Sequence, residues 1–108
     1  MKKFEVKNVI ANGTCLQTTV LASYKQLEKL FGFPNCEGDE YKVSTEWNLV
    51  SEDGKVVTLY DYKRTDLYSS GYPTVDEFRS LPVYEWHIGG KGLTEALELR
   101  DFILHSIK

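Results

Sequence analysis

Residues 45–63 read TEWNLVSEDGKVVTLYDYK, and this stretch decides the fold. Two runs rich in Val, Thr, Leu, Tyr and Trp flank Asp53-Gly54. Those two residues tolerate the positive φ angles of a tight turn, so the stretch reads as a β-hairpin. On the first run Val43, Thr45, Trp47 and Leu49 share one face, and Glu46 and Asn48 the other. The second run, 56–63, is apolar on both faces near its start, which suits a central strand or one covered at a dimer contact. A two-residue turn sets Trp47 opposite Tyr60 and Glu46 opposite Asp61, whereas a three-residue turn with Gly54 at a bulge shifts the pairing by one. The two-residue turn is preferred, because Trp47 against Tyr60 and Thr45 against Tyr62 make good cross-strand pairs.

Working outward, residues 3–10 (KFEVKNVI) read as a strand and Asn12-Gly13 as a second hairpin dipeptide. CLQTTVLA, residues 15–22, is a strand with two distinct faces. Ser23 and Gln26 have capping-box spacing, so a helix opens there. Tyr24, Leu27, Leu30 and Phe31 fall on one side of it, and Gly32 followed by Pro34 ends it. NCEGDE, residues 35–40, is a loop.

Beyond the hairpin, residues 64–82 form a long excursion. Thr74 and Glu77 predict a helical turn over 75–80, with Leu67, Tyr68, Tyr72 and Phe78 as pins. The segment reads as a partly ordered lid or arm, or as a plain connection draped over the sheet. VYEWHI, residues 83–88, is a strand ended by Gly89-Gly90 and Gly92, and the last helix covers about 93–107. The order is β-β-α-β-β-β-α. The expected class is α+β, an antiparallel sheet of about five strands with two helices packed on one face, in a single domain over 1–108.

Composition excludes several functions. The net charge of −3, with no long Lys/Arg cluster, speaks against duplex nucleic acid as a partner, though a small anionic ligand is compatible with it. The absence of a long apolar run speaks against a membrane. Cys15, Cys36, His87 and His105 lack ligand spacing, so no metal is expected, and the thiols read as reduced in a cytoplasmic protein. No nucleophile elbow, phosphate loop or dinucleotide fingerprint occurs, so no catalytic residue and no cofactor are assigned. An aromatic share of 13%, with 7 Tyr and 2 Trp, fits a binding surface or an aromatic sheet core equally well.

Two constellations could carry chemistry. The first joins Tyr60, Asp61, Tyr62, Lys63 and Arg64 to Trp86, His87, Gly89 and Gly90. On neighbouring strands these would supply rings to stack a base, cations for an anionic group, and glycines that let a ligand approach backbone N–H groups. The alternative is a core Trp86, a surface His87 and glycines that only make a turn. The second constellation is Glu46, Asp61 and Lys63, an acid-x-Lys spacing like that of metal-dependent nucleases. The leading Pro-Asp pair of that family is missing, and a solvated cross-strand charge set is the simpler reading.

Taken together, Asn12-Gly13-Thr14 with Leu16-Gln17, Phe33-Pro34, Glu46-Trp47, Asp53-Gly54, Thr58-Leu59-Tyr60-Asp61-Tyr62-Lys63 and Trp86-His87-Ile88-Gly89-Gly90 resemble a family of small phage and viral proteins along nearly the whole chain. Small phage proteins of this size often counter host defence. The resemblance implies a non-catalytic sponge, a homodimer or higher homo-oligomer, that sequesters a nucleotide-derived immune signal such as an ADP-ribose derivative or a cyclic nucleotide. It implies Tyr60 and Trp86 stacking a base, Lys63 and His87 on phosphate, Gln17 and Asp61 on ribose or base edges, and Arg64 as a second phosphate ligand. The alternatives are a protein–protein inhibitor of a host defence enzyme and, third, the small nuclease.

Overall fold

The computed structural model describes residues 3–8, 13–35, 43–62, 65 and 67–107. Their elements are β1 (Phe4–Val6), β2 (Cys15–Ala22), α1 (Tyr24–Phe31), β3 (Glu46–Ser51), β4 (Val56–Tyr60), α2 (Val75–Arg79), β5 (Tyr84–Gly90) and α3 (Leu93–Ser106). The five strands form one sheet in the order β1-β3-β4-β5-β2, antiparallel throughout. The α+β class is as the sequence reads, with the short α2 as a third helix.

The hairpin takes the three-residue turn, not the two-residue one. Glu46 pairs with Tyr60, Trp47 with Leu59, and Leu49 with Val57. Gly54 sits at φ +85° and donates to the Ser51 carbonyl at 2.9 Å, while the Ser51 and Lys55 backbones close the loop. The Ser51 hydroxyl accepts from Lys55 N at 3.0 Å and donates to the Asp53 carboxylate. Burial decides the register. Only this pairing gathers Trp47, Leu49, Val57 and Leu59, all fully buried, on one face. The other register would set Trp47 and Leu49 against Tyr60 and Thr58 and divide the apolar set.

Two further expectations are corrected. Asn12-Gly13 does not join a β1–β2 hairpin, because β1 pairs with β3 and β2 with β5, at opposite edges of the sheet. Gly89-Gly90 do not end the last strand. They continue it, paired with Thr58 and Val57 on one side and with Leu16 and Cys15 on the other.

The core lies under one face, where β2, β4 and β5 carry α3 through buried Ala96, Leu99 and Ile103. Trp47 and Trp86 meet edge to face at 5.6 Å in its centre. The Trp47 indole N–H donates to the Gly32 carbonyl at 3.0 Å, and that of Trp86 to the Ala22 carbonyl at 2.9 Å. The helix start at Ser23 forms its capping box, as does the turn at Thr74. Of the four residues expected to pin the excursion, Phe78 does so, buried against Tyr84 and Trp86. Leu67 and Tyr72 are exposed, and Tyr68 and Tyr72 stack on each other. α2 thus packs on the core face with the other helices. At the far edge Asn35 substitutes for a strand. Its amide donates to Lys7 O at 2.9 Å and Asn48 O at 3.3 Å and accepts from Asn48 N at 2.8 Å.

Replacing Gly54 with alanine tests the turn. No atom lies within 4 Å of the added Cβ, so the cost is the left-handed backbone alone. A loss of about 1–2 kcal/mol in urea unfolding is expected.

Candidate functional site

Strand alternation sends Glu46, Thr58, Tyr60 and His87 to the face away from the helices. There the Tyr60 and His87 rings meet at right angles with centroids 5.5 Å apart, and Tyr62 leans on His87 at 5.9 Å. Beside them lies a cavity of about 290 Å³ lined by Thr14, Cys15, Glu46, Thr58, Tyr60 and Gly89. Burial, and then the facing Glu46 carboxylate, hold the Tyr60 phenol above its ordinary pKa, so it stays a hydrogen-bond donor at neutral pH.

The residues read from the sequence divide. Tyr60, His87 and Gly89 come together here. Gly89 is required by its neighbours, since a Cβ would come within 2.5 Å of Thr58 Oγ1 and 3.5 Å of the Tyr60 ring. Gly90 faces the core side, where a Cβ would meet Glu95 and Val57. β5 lies between β4 and β2, so the backbone of both glycines belongs to the ladders and offers no open N–H cradle. Gln17 sits at the irregularity between Leu16 and Thr18, where its amide donates to Gly90 O at 3.1 Å and fastens the two strands together.

Trp86 has no exposed surface and stacks no ligand; its ring is core. Lys63 and Arg64 lie outside the described residues. Asp61 is fully buried. Its carboxylate accepts from Ser44 N and Thr45 N at 2.8 Å each and from the Ser44 hydroxyl at 2.6 Å. It closes the 44–45 corner onto the end of β4 and is not available for a ribose. Thr45 Oγ1 in turn accepts from Arg79 Nη2 at 3.0 Å, and Arg79 lies over the Tyr24 ring. This chain of contacts fixes α2 to α1 and to the hairpin.

Glu46 and Asp61, the two carboxylates of the nuclease set, do not converge. Alternation puts Glu46 and Asp61 on opposite faces, because Asp61 N continues the ladder to Thr45 O. Among the described residues no group of three or more His, Cys, Asp or Glu side chains could hold a metal ion. No described helix is long and apolar enough to cross a membrane.

Thr14, Cys15 and Thr58 were not singled out as site residues from the sequence. The signal for Thr58 was present in Thr58-x-Tyr60-x-Tyr62, a period of two that places all three on one face. Thr14 and Cys15 join the cavity through β2, a neighbour of β5 that local pattern does not reveal. The sequence matches no protein-family model and no curated protein.

Two measurements check these assignments. Asp61→Ala strips the acceptor from two backbone donors and is expected to cost about 3 kcal/mol in chemical denaturation. Burial raises the Asp61 pKa above 3.8, and the three donors pull it part of the way back. Its protonated form therefore contributes most below 3.8, and that contribution falls as pH rises through the native pKa. Asp61→Asn, which does not titrate, should lose this slope. Separately, Gly89→Ala is expected to destabilise by about 1–3 kcal/mol through overpacking, with part recovered in the Gly89→Ala/Thr58→Ala double variant.

Proposed function

We propose that this protein is a non-catalytic, phage-type binder that sequesters a small nucleotide-derived immune signal, an ADP-ribose derivative or a cyclic nucleotide, in the host cytoplasm as a homo-oligomer. The observation that carries the reading is the Tyr60–His87–Tyr62 ring cluster beside a polar cavity on the helix-free face. A purine or nicotinamide ring has a π-face that stacks on such rings, and stacking contributes about 1–3 kcal/mol per base. The phenol of Tyr60 donates, Glu46 accepts, and the hydroxyls of Thr14 and Thr58 do either, which suits base edges and ribose. His87 can meet a phosphate when protonated. Lys63 and Arg64 follow Tyr62 directly in the chain and are the cations assigned to phosphate. The resemblance to small phage proteins supports the same reading.

Thermal shift against a panel of cyclic dinucleotides and ADP-ribose derivatives tests it. At ~100-fold excess over Kd, a ligand that binds only the native state adds ~2.7 kcal/mol. In a domain of this size that is a rise of roughly 10 °C. The rise should vanish in Tyr60→Ala and Lys63→Ala, each read against its own apo Tm. Trp86→Ala is unsuitable as a probe, since removing a core tryptophan costs about 3–5 kcal/mol by itself. A flat panel argues against the sponge and for direct contact with a host defence enzyme, checked by pull-down from host lysate.

A further inference from the structure

We propose that β2 is a self-pairing edge, and that two copies join their β2 strands antiparallel about a two-fold axis perpendicular to the sheet, making one sheet of ten strands. This deepens the homo-oligomer part of the reading above and rests on it only there. Among the described residues β2 pairs with β5 alone, along one edge of its eight residues. Natural edges are blunted by charges, prolines, bulges or cover. β2 has one such device, the irregularity between Leu16 and Thr18, while residues 18–22 run in regular register. CLQTTVLA carries no charge and no proline.

The surface pattern selects a second copy as the occupant. Leu16 and Leu21 are 53% and 60% exposed, one near each end of the strand. The register sets Leu16 opposite Gly89 and Leu21 opposite Glu85. Antiparallel pairing about a two-fold lays the beginning of one strand beside the end of the other. Each exposed leucine then approaches the other kind, twice.

Charge follows the same symmetry. Lys91 stands at the beginning of β2, with its Cε 3.7 Å from where a Gly13 Cβ would be. Glu85 pairs with Leu21 at the other end, and Asp101 lines a groove there with Leu21, Val83, Leu104 and Ile107. The two-fold brings the lysine end of each copy to the acidic, apolar end of its partner. A foreign strand would meet this pattern once and in one direction only.

The test is the mass in solution of the full chain without ligand, by sedimentation and by light scattering, so that failure to bind a nucleotide does not affect it. Wild type is expected at twice 12.4 kDa. Leu21→Lys, a change at an exposed position, should give the monomer mass with circular dichroism and Tm unchanged. Lys91→Glu should weaken the dimer at least tenfold, and Lys91→Glu with Asp101→Lys should restore it. A wild-type monomer at ~100 µM overturns the proposal, even one that binds a foreign peptide strand. So does a dimer that persists in Leu16→Lys/Leu21→Lys, since its interface lies elsewhere.

Discussion

The edge-to-face contact between Trp47 and Trp86 is the interaction on which the rest of the structure depends. Both indoles have no exposed surface, and each must place its N–H on an acceptor inside the protein. Trp47 uses the carbonyl of Gly32, just beyond α1, and Trp86 uses that of Ala22, at the end of β2. The pair therefore fixes where the first helix begins and stops relative to the sheet. Tyr24 of α1, Phe78 of α2 and Tyr84 of β5 pack around the two rings, and Ala96, Leu99 and Ile103 bring α3 into the same core, so all three helices are committed to one face.

That commitment creates the other face. Because side chains alternate along each strand, burying Trp47, Leu59, Ile88 and Trp86 sends Glu46, Thr58, Tyr60 and His87 to the far side. The candidate site is thus a consequence of how the core is packed. The same alternation separates Glu46 from Asp61. It turns Asp61 from a candidate ligand residue into the acceptor that closes the 44–45 corner, with Arg79 bonded to Thr45 and resting on Tyr24. A buried carboxylate with three donors is a structural group.

Glycine has two different meanings in this chain. At Gly54 it supplies a left-handed backbone for the turn. At Gly89 it supplies the absence of a side chain, which lets Thr58 and Tyr60 lie close across the ladder and leaves a hollow beside them. The two are indistinguishable by residue type, which is why Gly89-Gly90 read as a strand end. Likewise Trp86 and His87 are neighbours in one motif, yet one is core and the other borders the cavity, because consecutive strand residues point to opposite faces.

Local patterns were enough to determine much of this protein. The capping boxes at Ser23 and Thr74, the helical periodicity of Tyr24 and Leu27, the turn at Asp53-Gly54 and the α+β class all follow from short-range chemistry that tertiary contacts did not overrule. The faces of Tyr60 and His87 follow from the alternation of their own strands, but their union required β4 and β5 to be neighbours. Tertiary structure decided the rest. The hairpin register was chosen by burial of four apolar side chains, a global condition that outweighed one attractive Trp47–Tyr60 pair. The separation of β1 from β2 to opposite edges, the entry of Thr14 and Cys15 into the cavity, and the burial of Trp86 and Asp61 depend on which strands are neighbours. Strand order is set by the packing of the whole sheet against its helices, and no single stretch of sequence contains it.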